Sequence, residues 1–483
     1  MRAIFKSDRP HAPDPVSFVS AGRFNIPPKV DLNALQPLPP STLAPPVAPR
    51  FTEALLFWLK LGFISFGGPA GQIAVMHQEL VERRRWISER RFLHALNYCM
   101  VLPGPEATQL AIYMGWLLHR TRGGIAAGVL FVLPSLFILI GLSAVYMAYG
   151  NQPLVLGVFA GVKPAVVAVV AFAVWRIGSR ALKNGALWLI AAAAFVAIFA
   201  LGLPFPAIVL GAGVVGWIGG RIAPGKFQVG GGHAAAHGSY GPALIDDATP
   251  PPAHARFRPW RLAALLAIFL ALWALAFAAL PAGTLRDMGL FFTKAAYVTF
   301  GGAYAVLPYV YQAGVEHFHW LTGPQMIDGL GLGETTPGPL IMVVAFVGFV
   351  GAWTHQVFGP QSPLLAGATG AVVATFFTFL SCFLFILAGG PLVEATRDDL
   401  RFTAPLTGVT AAVVGVVLNL AVFFAWHVFW PQGSGTAPFA GGFQWFDALL
   451  ALAAWLVLWR GRAGIMMVVL ACAAIGLVHT LMV

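Results

Sequence analysis

Long apolar stretches separated by short polar loops run through most of the chain after residue 50. Thirteen such segments can be marked, most of them long enough for an α-helix that crosses the hydrocarbon core of a bilayer, which takes about 20 residues. They cover residues 51–81, 93–118, 123–148, 155–175, 186–201, 203–220, 261–281, 288–315, 325–353, 362–390, 403–430, 445–460 and 463–482. The pattern predicts an all-α polytopic membrane protein.

Composition supports this class and excludes others. Apolar residues make up 58% of the 483-residue chain and charged residues only 10%, whereas a soluble domain carries about a quarter charged residues. The net charge of +11 does not indicate nucleic-acid binding, because the basic residues lie in short loops and not on one soluble face. The expected surrounding is therefore a lipid bilayer.

The sequence does not indicate an enzyme, a cofactor or a metal site. The three cysteines stand apart within apolar segments, so they predict neither a disulfide framework nor a metal centre. His233 and His237 have the spacing of helical metal ligands, but the glycines around them argue against a helix there. The chain has no GxxxxGK[ST] motif for nucleotide phosphates, so we do not expect ATP to drive its activity.

An internal duplication with a separation of 234 residues is the most informative feature of the sequence. The stretch from Lys60 to Pro105 recurs, without insertion, from Lys294 to Pro339. The matched residues are Lys60, Phe66, Gly67, Gly68, Gln78, Glu82, Trp86, Pro103, Gly104 and Pro105, and Lys294, Phe300, Gly301, Gly302, Gln312, Glu316, Trp320, Pro337, Gly338 and Pro339. Ten agreements in one register indicate two copies of one unit.

The duplication divides the chain into five parts. They are a Pro-rich cytoplasmic tail at 1–50, a first repeat at 51–220, a cytoplasmic linker at 221–260, an extra span at 261–281 and a second repeat at 282–483. The extra span adds one crossing, so the second repeat should be inverted relative to the first. Inverted repeats with interrupted helices are typical of secondary transporters, in which the substrate site lies where the repeats meet.

Loop charges orient the chain. Lys and Arg occur in alternate loops and are absent from residues 149–153, 201–206, 313–324, 354–362 and 431–444, so the basic side and the N-terminus are predicted to be cytoplasmic. The arginines at 83–85 conflict with a simple first span. The conflict disappears if 51–81 and 93–118 are re-entrant hairpins, broken at the FGG and PGP motifs, which is possible where backbone lines a protein cavity. Thirteen simple spans are the alternative.

The residues at these breaks predict a site for a compact oxyanion. Helices that restart there aim free N–H groups and positive dipole ends at one place, and lysines inside apolar segments require an anionic partner or a cavity, unless they extend to the membrane surface. The candidates are Lys60, Ser65, Gly67, Gly68, Pro69, Gln72, Pro103, Gly104, Pro105, Glu106, Thr108 and Gln109, with Lys294, Thr299, Gly301, Gly302, Thr335, Thr336, Pro337, Gly338 and Pro339.

Two carboxylates and a third lysine accompany this set. Glu106 follows the first PGP motif, Glu334 precedes the second, and Lys163 lies in an apolar segment. The carboxylates are candidates for neutralising the lysines in the empty protein or for carrying a coupling proton. At the start of a helix, Glu106 also has a purely structural interpretation, which is to stabilise the helix dipole.

The motifs resemble those of the bacterial chromate transporter family in its long, two-domain form. The matching stretches are FGGPAGQIAVMHQELVERRRW and LPGPEATQLAIYMGW in the first repeat, and TFGGAYAVLPY and TTPGPLIM in the second. The resemblance covers nearly all of residues 51–482. The family's motif positions correspond here to Gly67, Gly68, Pro69, Pro103, Gly104, Pro105 and Glu106. The second repeat departs from the motif, with Ala303 in place of the proline and Leu340 in place of the glutamate.

The resemblance implies an inner-membrane secondary transporter that exports chromate and confers chromate resistance, with sulfate as a related anion. Alternating access driven by the membrane potential or by ion coupling is the expected mechanism. A sulfate or other oxyanion exchanger and an oxyanion channel are the alternatives, and a homodimer is compatible with the sequence.

Overall fold

The computed structural model describes residues 46–66, 68–227, 240–247, 249–250, 252–300, 302–395, 403–433 and 437–482. Over these ranges the chain is helical, and its one β contact is an isolated bridge between Ile87 and Ile245. Gly67, Gly301, His233, His237 and most of the Pro-rich tail lie outside the described residues.

The first repeat and the connecting region contain nine helices within the described ranges. They are α1 (Phe51–Ile64), α2 (Gly68–His77), α3 (Glu89–Val101), α4 (Glu106–Tyr149), α5 (Pro153–Ala181), α6 (Gly185–Phe199), α7 (Phe205–Ile222), α8 (Pro224–Phe227) and α9 (Pro259–Ala278). A π-helical turn, Gln78–Arg83, continues α2, and a 3-10 turn, Ala253–Ala255, precedes α9.

The second repeat follows the same order. Its helices are α10 (Thr284–Val298), α11 (Ala303–Tyr311), α12 (Gly323–Thr335), α13 (Val343–Thr354), α14 (Pro363–Ala395), α15 (Thr403–Phe429), α16 (Trp445–Trp459) and α17 (Ile465–Met482). A π-helical turn, Gln312–His317, continues α11, and a 3-10 turn, Leu340–Met342, leads into α13.

The first apolar segment forms a re-entrant hairpin, as the arginine distribution predicts. α1 is about 21 Å long at 1.5 Å per residue, and α2 with its π-helical turn brings the chain back. Arg84 at the end of this return donates to Glu53 at the start of α1, with an N–O distance of 3.2 Å. The rings of Phe57 and Trp86 lie 5.4 Å apart. The chain therefore leaves on the face at which it entered.

The second segment is also re-entrant, because α4 is not one continuous rod. His119 and Arg120 have non-helical dihedral angles, with φ of +58° at Arg120. Gly115 and Gly123 face each other across the turn, and a Cβ on Gly115 would lie 2.4 Å from the carbonyl oxygen of Gly123. We call residues 106–118 the short arm of α4 and residues 121–149 its long arm. His119 contacts the carbonyl oxygen of Pro49 at 3.0 Å, on the face where α1 begins.

The second repeat reproduces these hairpins on the opposite face. The ring pair Phe291–Trp320, at 5.7 Å, is the 234-residue counterpart of Phe57–Trp86. Its return ends near the start of α7, where the backbone N–H of Phe205 donates to Gln312. Residues 201–206 form one of the loops that lack Lys and Arg. The inverted arrangement of the two repeats is thereby confirmed.

Seven of the described helices are long and apolar enough to cross a membrane. They are α4, α5, α7, α9, α14, α15 and α17, and the shorter apolar helices are α6, α16 and the Leu340–Thr354 stretch. Together with the interrupted hairpins, these helices account for all thirteen predicted segments.

The two repeats interlock through the helices that follow the hairpins. Gly161 of α5 packs so closely on α17 that a Cβ there would overlap the carbonyl oxygen of Cys472. The reciprocal contact joins Gly408 of α15 to α7, where a Cβ would lie 2.5 Å from the carbonyl oxygen of Ala212. Small residues let membrane helices approach this closely. Neither repeat is therefore a separate body.

The later part of the linker packs against the ends of the first-repeat hairpins. The backbone N–H of Ser88 donates to the carbonyl oxygen of Ile245, and its hydroxyl donates to Asp247 at 2.6 Å. Arg91 donates to the carbonyl oxygen of Thr249. We call the side of the molecule with these hairpin ends and the linker the basic face.

Candidate functional site

The four helix interruptions meet in two reciprocal pairs at the interface of the repeats. The backbone N–H of Gly104 donates to the carbonyl oxygen of Thr299 at 2.7 Å. The N–H of Gly338 donates to the carbonyl oxygen of Ser65 at 2.8 Å. Residues 104 and 338, like 65 and 299, are 234 positions apart, so the two bonds are related by the duplication. Each interruption is thus held by the other repeat.

Glycine is needed at all four interruptions, because the backbone there turns to positive φ. The values are +70° at Gly68, +114° at Gly104, +96° at Gly302 and +102° at Gly338. Residues with a Cβ are strained in this region, whereas glycine adopts it without steric cost. The repeated FGG and PGP motifs thus encode the positions at which each helix stops and another begins.

Four helix N-termini follow these glycines directly. α2 begins at Gly68, α11 at Ala303, the short arm of α4 at Glu106, and the 3-10 turn that leads into α13 at Leu340. The first N–H groups of a helix have no partner within it, and the helix dipole adds positive potential at that end. The convergence of such ends at the interface favours negative charge.

The N-termini of α2 and α11 are related by the duplication, but different groups lie beside them. Next to Gly302 is the carboxylate of Glu106, whose Oε1 would be 3.5 Å from a Cβ on that glycine. Next to Gly68 a Cβ would meet no atom within 4 Å. Leu340 stands where the duplication would place a second glutamate. The N-terminus of α11 is therefore matched by an internal anion, and that of α2 is not.

Neutral polar side chains surround the interruptions, and most of the predicted ones are buried. Gln72 donates to the carbonyl oxygen of Gly338 at 2.5 Å, and Gln109 donates to that of Pro103 at 2.7 Å. The hydroxyls of Ser65 and Thr108, both fully buried, make no hydrogen bond in the described part of the chain. They are available as donors.

The hydroxyls of the second repeat are used differently. Thr299, Thr335 and Thr336 each donate to a backbone carbonyl of their own helix, three or four residues earlier. Such bonds satisfy a buried hydroxyl locally. The neutral donors available to a ligand therefore come from the first repeat. Of the remaining predicted residues, Gly104, Pro105, Pro337, Gly338 and Pro339 are buried, whereas Pro69 and Pro103 are partly exposed.

Glu334 lies in the same interface but is already paired. It is 6% exposed and accepts a hydrogen bond of 2.6 Å from the hydroxyl of Tyr304. A buried carboxylate requires such a donor. Tyr304 was not among the predicted site residues, although it lies two positions after Gly302 in a repeated motif.

The two repeat-related lysines lie outside this interface, contrary to the expectation of buried lysines at the site. Lys60 and Lys294 are both exposed. α1 turns Ala54, Phe57 and Leu61 into the protein, which leaves Lys60 on the opposite face beside exposed Leu56 and Phe63. Helical periodicity therefore separates the lysines from the interruptions that follow them.

The third lysine takes part in a cluster that the sequence analysis missed. Lys163 Nζ lies 4.0 Å from Oδ1 of Asp328, which is 4% exposed. The hydroxyl of Tyr146 donates to the other oxygen of Asp328 at 2.9 Å. The cluster ties α5, α12 and the long arm of α4 together. The sequence did contain a signal for this cluster, because an aspartate within an apolar segment indicates a buried polar partner.

A small side chain from the other repeat lies against each PGP glycine. A Cβ on Gly338 would lie 2.7 Å from Cβ of Ser135, and one on Gly104 would lie 3.4 Å from Sγ of Cys382. These contacts were not predicted either. Within the described ranges, no group of three or more His, Cys, Asp or Glu side chains is placed to hold a metal ion.

Comparison with known proteins identifies the family of this fold. The model of a family described as chromate transporter matches residues 52–217 and 286–477. A chromate transport protein of Pseudomonas aeruginosa is 32% identical over 453 residues, 90% of this chain and 94% of its own length. Another, from Cupriavidus metallidurans, is 30% identical over 80% of this chain and 87% of its own length. No solved structure matches the chain.

Proposed function

Because the chain belongs to the chromate transporter family, we propose that it exports chromate, a tetrahedral dianion, across the bacterial inner membrane. The observation that carries the proposal is the open space beside Gly68, at the N-terminus of α2, where the related space beside Gly302 holds the carboxylate of Glu106. A helix N-terminus with an unmatched dipole is a ready anion site.

The chemistry around Gly68 suits an anion that must be released again. The first N–H groups of α2, which have no partner within a helix, and the free hydroxyl of Ser65 supply hydrogen bonds, while neither repeat-related lysine is buried there. A site made of dipoles and neutral donors binds a dianion without holding it in a tight ion pair. Transport needs binding of this intermediate strength.

The membrane potential supplies enough free energy for export. A dianion that leaves a cell with an inside-negative potential gains about 4.6 kcal/mol per 100 mV, from about 2.3 kcal/mol per charge. This corresponds to about three decades of concentration. Electrogenic uniport or exchange therefore suffices, and Glu106 and Glu334 are the candidates for a coupling proton.

Alternating access follows from the inverted hairpins. The first-repeat hairpins open on the basic face and the second-repeat hairpins on the other face. Two backbone hydrogen bonds and the bond from Gln72 to Gly338 join their interruptions. Movement of one pair against the other exposes the space beside Gly68 to one side at a time. With the basic loops in the cytoplasm, outward movement is export.

Chromate flux into and out of proteoliposomes tests the proposal. We expect saturable flux that follows an imposed potential, competes with sulfate and is stimulated by chromate on the opposite side. Flux without saturation or trans-stimulation would instead identify an oxyanion channel. Sulfate flux with no chromate flux under any gradient would reassign the substrate and contradict chromate export.

A pair of hydroxyl variants locates the site. Ser65→Ala removes a free buried hydroxyl three residues before Gly68, and we expect the concentration for half-maximal flux to rise several-fold, since each lost hydrogen bond to an anion weakens its binding. The control is Thr410→Val, which also removes one hydroxyl, but one that donates to the carbonyl oxygen of Leu406 in its own helix. An equal effect of both variants would exclude the space beside Gly68 as the anion site.

A further inference from the structure

The extra span, α9, differs from the other crossing helices in being almost uncovered by protein. None of its residues is buried. It is held mainly against α14, where the rings of Trp273 and Phe377 lie 6.3 Å apart, and by a hydrogen bond of 3.0 Å from Trp273 to the hydroxyl of Thr293. Along its length α9 leaves a furrow between itself, α14 and the long arm of α4.

This furrow contains two cavities, a polar one at the basic face and an apolar one deeper in the membrane. Their volumes are about 370 Å³ and about 340 Å³. Each of the three helices contributes residues to both cavities. Along each helix, the residues that line one cavity are about one turn from those that line the other. On α9, Ile268 lines the polar cavity and Phe269 the apolar one, and on α14 Leu387 and Phe383 do the same. The two cavities therefore lie next to each other along the same three helices.

The polar end is strongly basic. Arg120, Arg256, Arg258 and Arg261 line it together with Trp116 and Trp260. None of these four arginines takes part in an ion pair that the structure describes. The guanidinium of Arg261 lies 5.5 Å from the ring of Trp260. Four like charges at one cavity repel each other unless an anion joins them.

The apolar end has the opposite character. Its lining is composed of Ile, Val, Leu, Phe, Thr and Gly side chains, such as Val129, Leu136, Val372 and Phe379, with no charged residue among them. A free oxyanion satisfies the arginines but leaves this part of the furrow unfilled. The ligand with a charged phosphate at one end and a hydrocarbon chain at the other is a phospholipid.

We propose that the furrow binds one anionic phospholipid from the leaflet on the basic face, with its phosphate on the four arginines and an acyl chain between α9, α14 and the long arm of α4. Basic pockets between membrane helices on the cytoplasmic side bind anionic headgroups, and tryptophan is favoured at that depth. The lipid joins the extra span to helices of both repeats and thereby supports their inverted arrangement.

Thermal unfolding of the full chain in detergent micelles tests the headgroup end. We expect added dioleoylphosphatidylglycerol to raise Tm more than dioleoylphosphatidylcholine does. In Arg256→Gln/Arg258→Gln/Arg261→Gln, lipid binding should weaken about fivefold for each arginine removed. The matched control is Arg460→Gln/Arg462→Gln, which removes exposed charges outside the furrow and should keep the full shift.

A second pair of variants tests the acyl-chain end. Val372→Trp fills the furrow, whereas Leu275→Trp adds the same bulk at an exposed position of α9 outside its lining. We expect only the first to reduce the Tm shift and the amount of phosphatidylglycerol retained in native mass spectra. The proposal is overturned if both lipids act equally, if the triple variant keeps the preference for phosphatidylglycerol, or if inorganic phosphate alone reproduces the shift.

Discussion

The two repeats share a backbone but not a charge distribution. In both, glycines with positive φ follow the first hairpin arm and a six-residue π-helical turn ends the return. The second residue after that turn, Arg85 or His319, has a φ near +50°. All of these features recur at a separation of 234 residues. The geometry of the interruptions is therefore what the two copies have in common.

The polar side chains near the interruptions differ between the two repeats. Glu106 in the first repeat corresponds to Leu340 in the second, and Gln72 corresponds to Val306. Conversely, the paired carboxylates Asp328 and Glu334 have no acidic counterpart in the first repeat, where residues 94 and 100 are His and Met. The comparison indicates that the backbone symmetry forms a pair of related anion positions and that their chemistry then makes them unequal.

Restoring the missing glutamate should have the largest effect on transport. Leu340→Glu places a carboxylate beside Gly68, where we propose that chromate binds. Two unit charges about 4 Å apart at an effective dielectric constant of 20 repel by about 4 kcal/mol, so we expect chromate flux to fall more than a hundredfold. The control is Leu340→Gln, which has the same size without the charge. Equal flux in both variants would show that the space beside Gly68 is not the anion position.

Alanine substitutions at Gly338 and Gly68 should distinguish the cost of a steric clash from the cost of backbone strain. Gly338→Ala introduces a Cβ 2.7 Å from Ser135 at a φ of +102°, whereas Gly68→Ala meets no atom within 4 Å at a φ of +70°. Backbone strain alone costs about 1–3 kcal/mol, and Gly338→Ala adds a clash to it. We expect a larger fall in Tm and in folded yield for Gly338→Ala. The reverse order would contradict the packing of the long arm of α4 on this break.

The charge cluster that joins Lys163 and Tyr146 of the first repeat to Asp328 of the second should contribute moderately to stability. Lys163→Met leaves Asp328 with Tyr146 as its donor, and Asp328→Asn removes the buried charge. Because the side chain of Lys163 is 35% exposed and the ions are 4.0 Å apart, we expect a coupling of no more than about 1 kcal/mol in a double-mutant cycle. Additive effects on thermal unfolding in detergent would mean that the two residues do not interact.

The repeat-related lysines should have the smallest effect on stability. Lys60→Ala and Lys294→Ala change exposed side chains without an ion pair in the described ranges, so we expect changes within about 0.5 kcal/mol. Chromate flux in proteoliposomes should stay within about twofold of the wild type if both lysines only extend to the membrane surface. A collapse of flux in Lys60→Ala alone would return that residue to the transport path and break the symmetry at this position as well.

Much of the fold could be predicted from the sequence because the signals are local. Apolar segments of membrane length, loops without Lys or Arg, and the arginines at 83–85 together led to re-entrant hairpins. The sequences that begin at Gly161 (GVKPAVV) and at Gly408 (GVTAAVV) are similar. Both glycines lie at close helix crossings. The missed residues, among them Asp328, Tyr146 and Tyr304, belong to segments that meet only after folding.

The sequence by itself determined the membrane class, the duplication and the positions of the four interruptions, since each depends on composition, periodicity or the conformational freedom of glycine. Only the tertiary structure decided which interruptions meet and which side chains face them. Lys60 and Lys294 turn outward because α1 and α10 bury their other faces, and the space beside Gly68 stays open because its counterpart alone receives a glutamate. These outcomes depend on contacts between residues more than 200 positions apart, which no local pattern records.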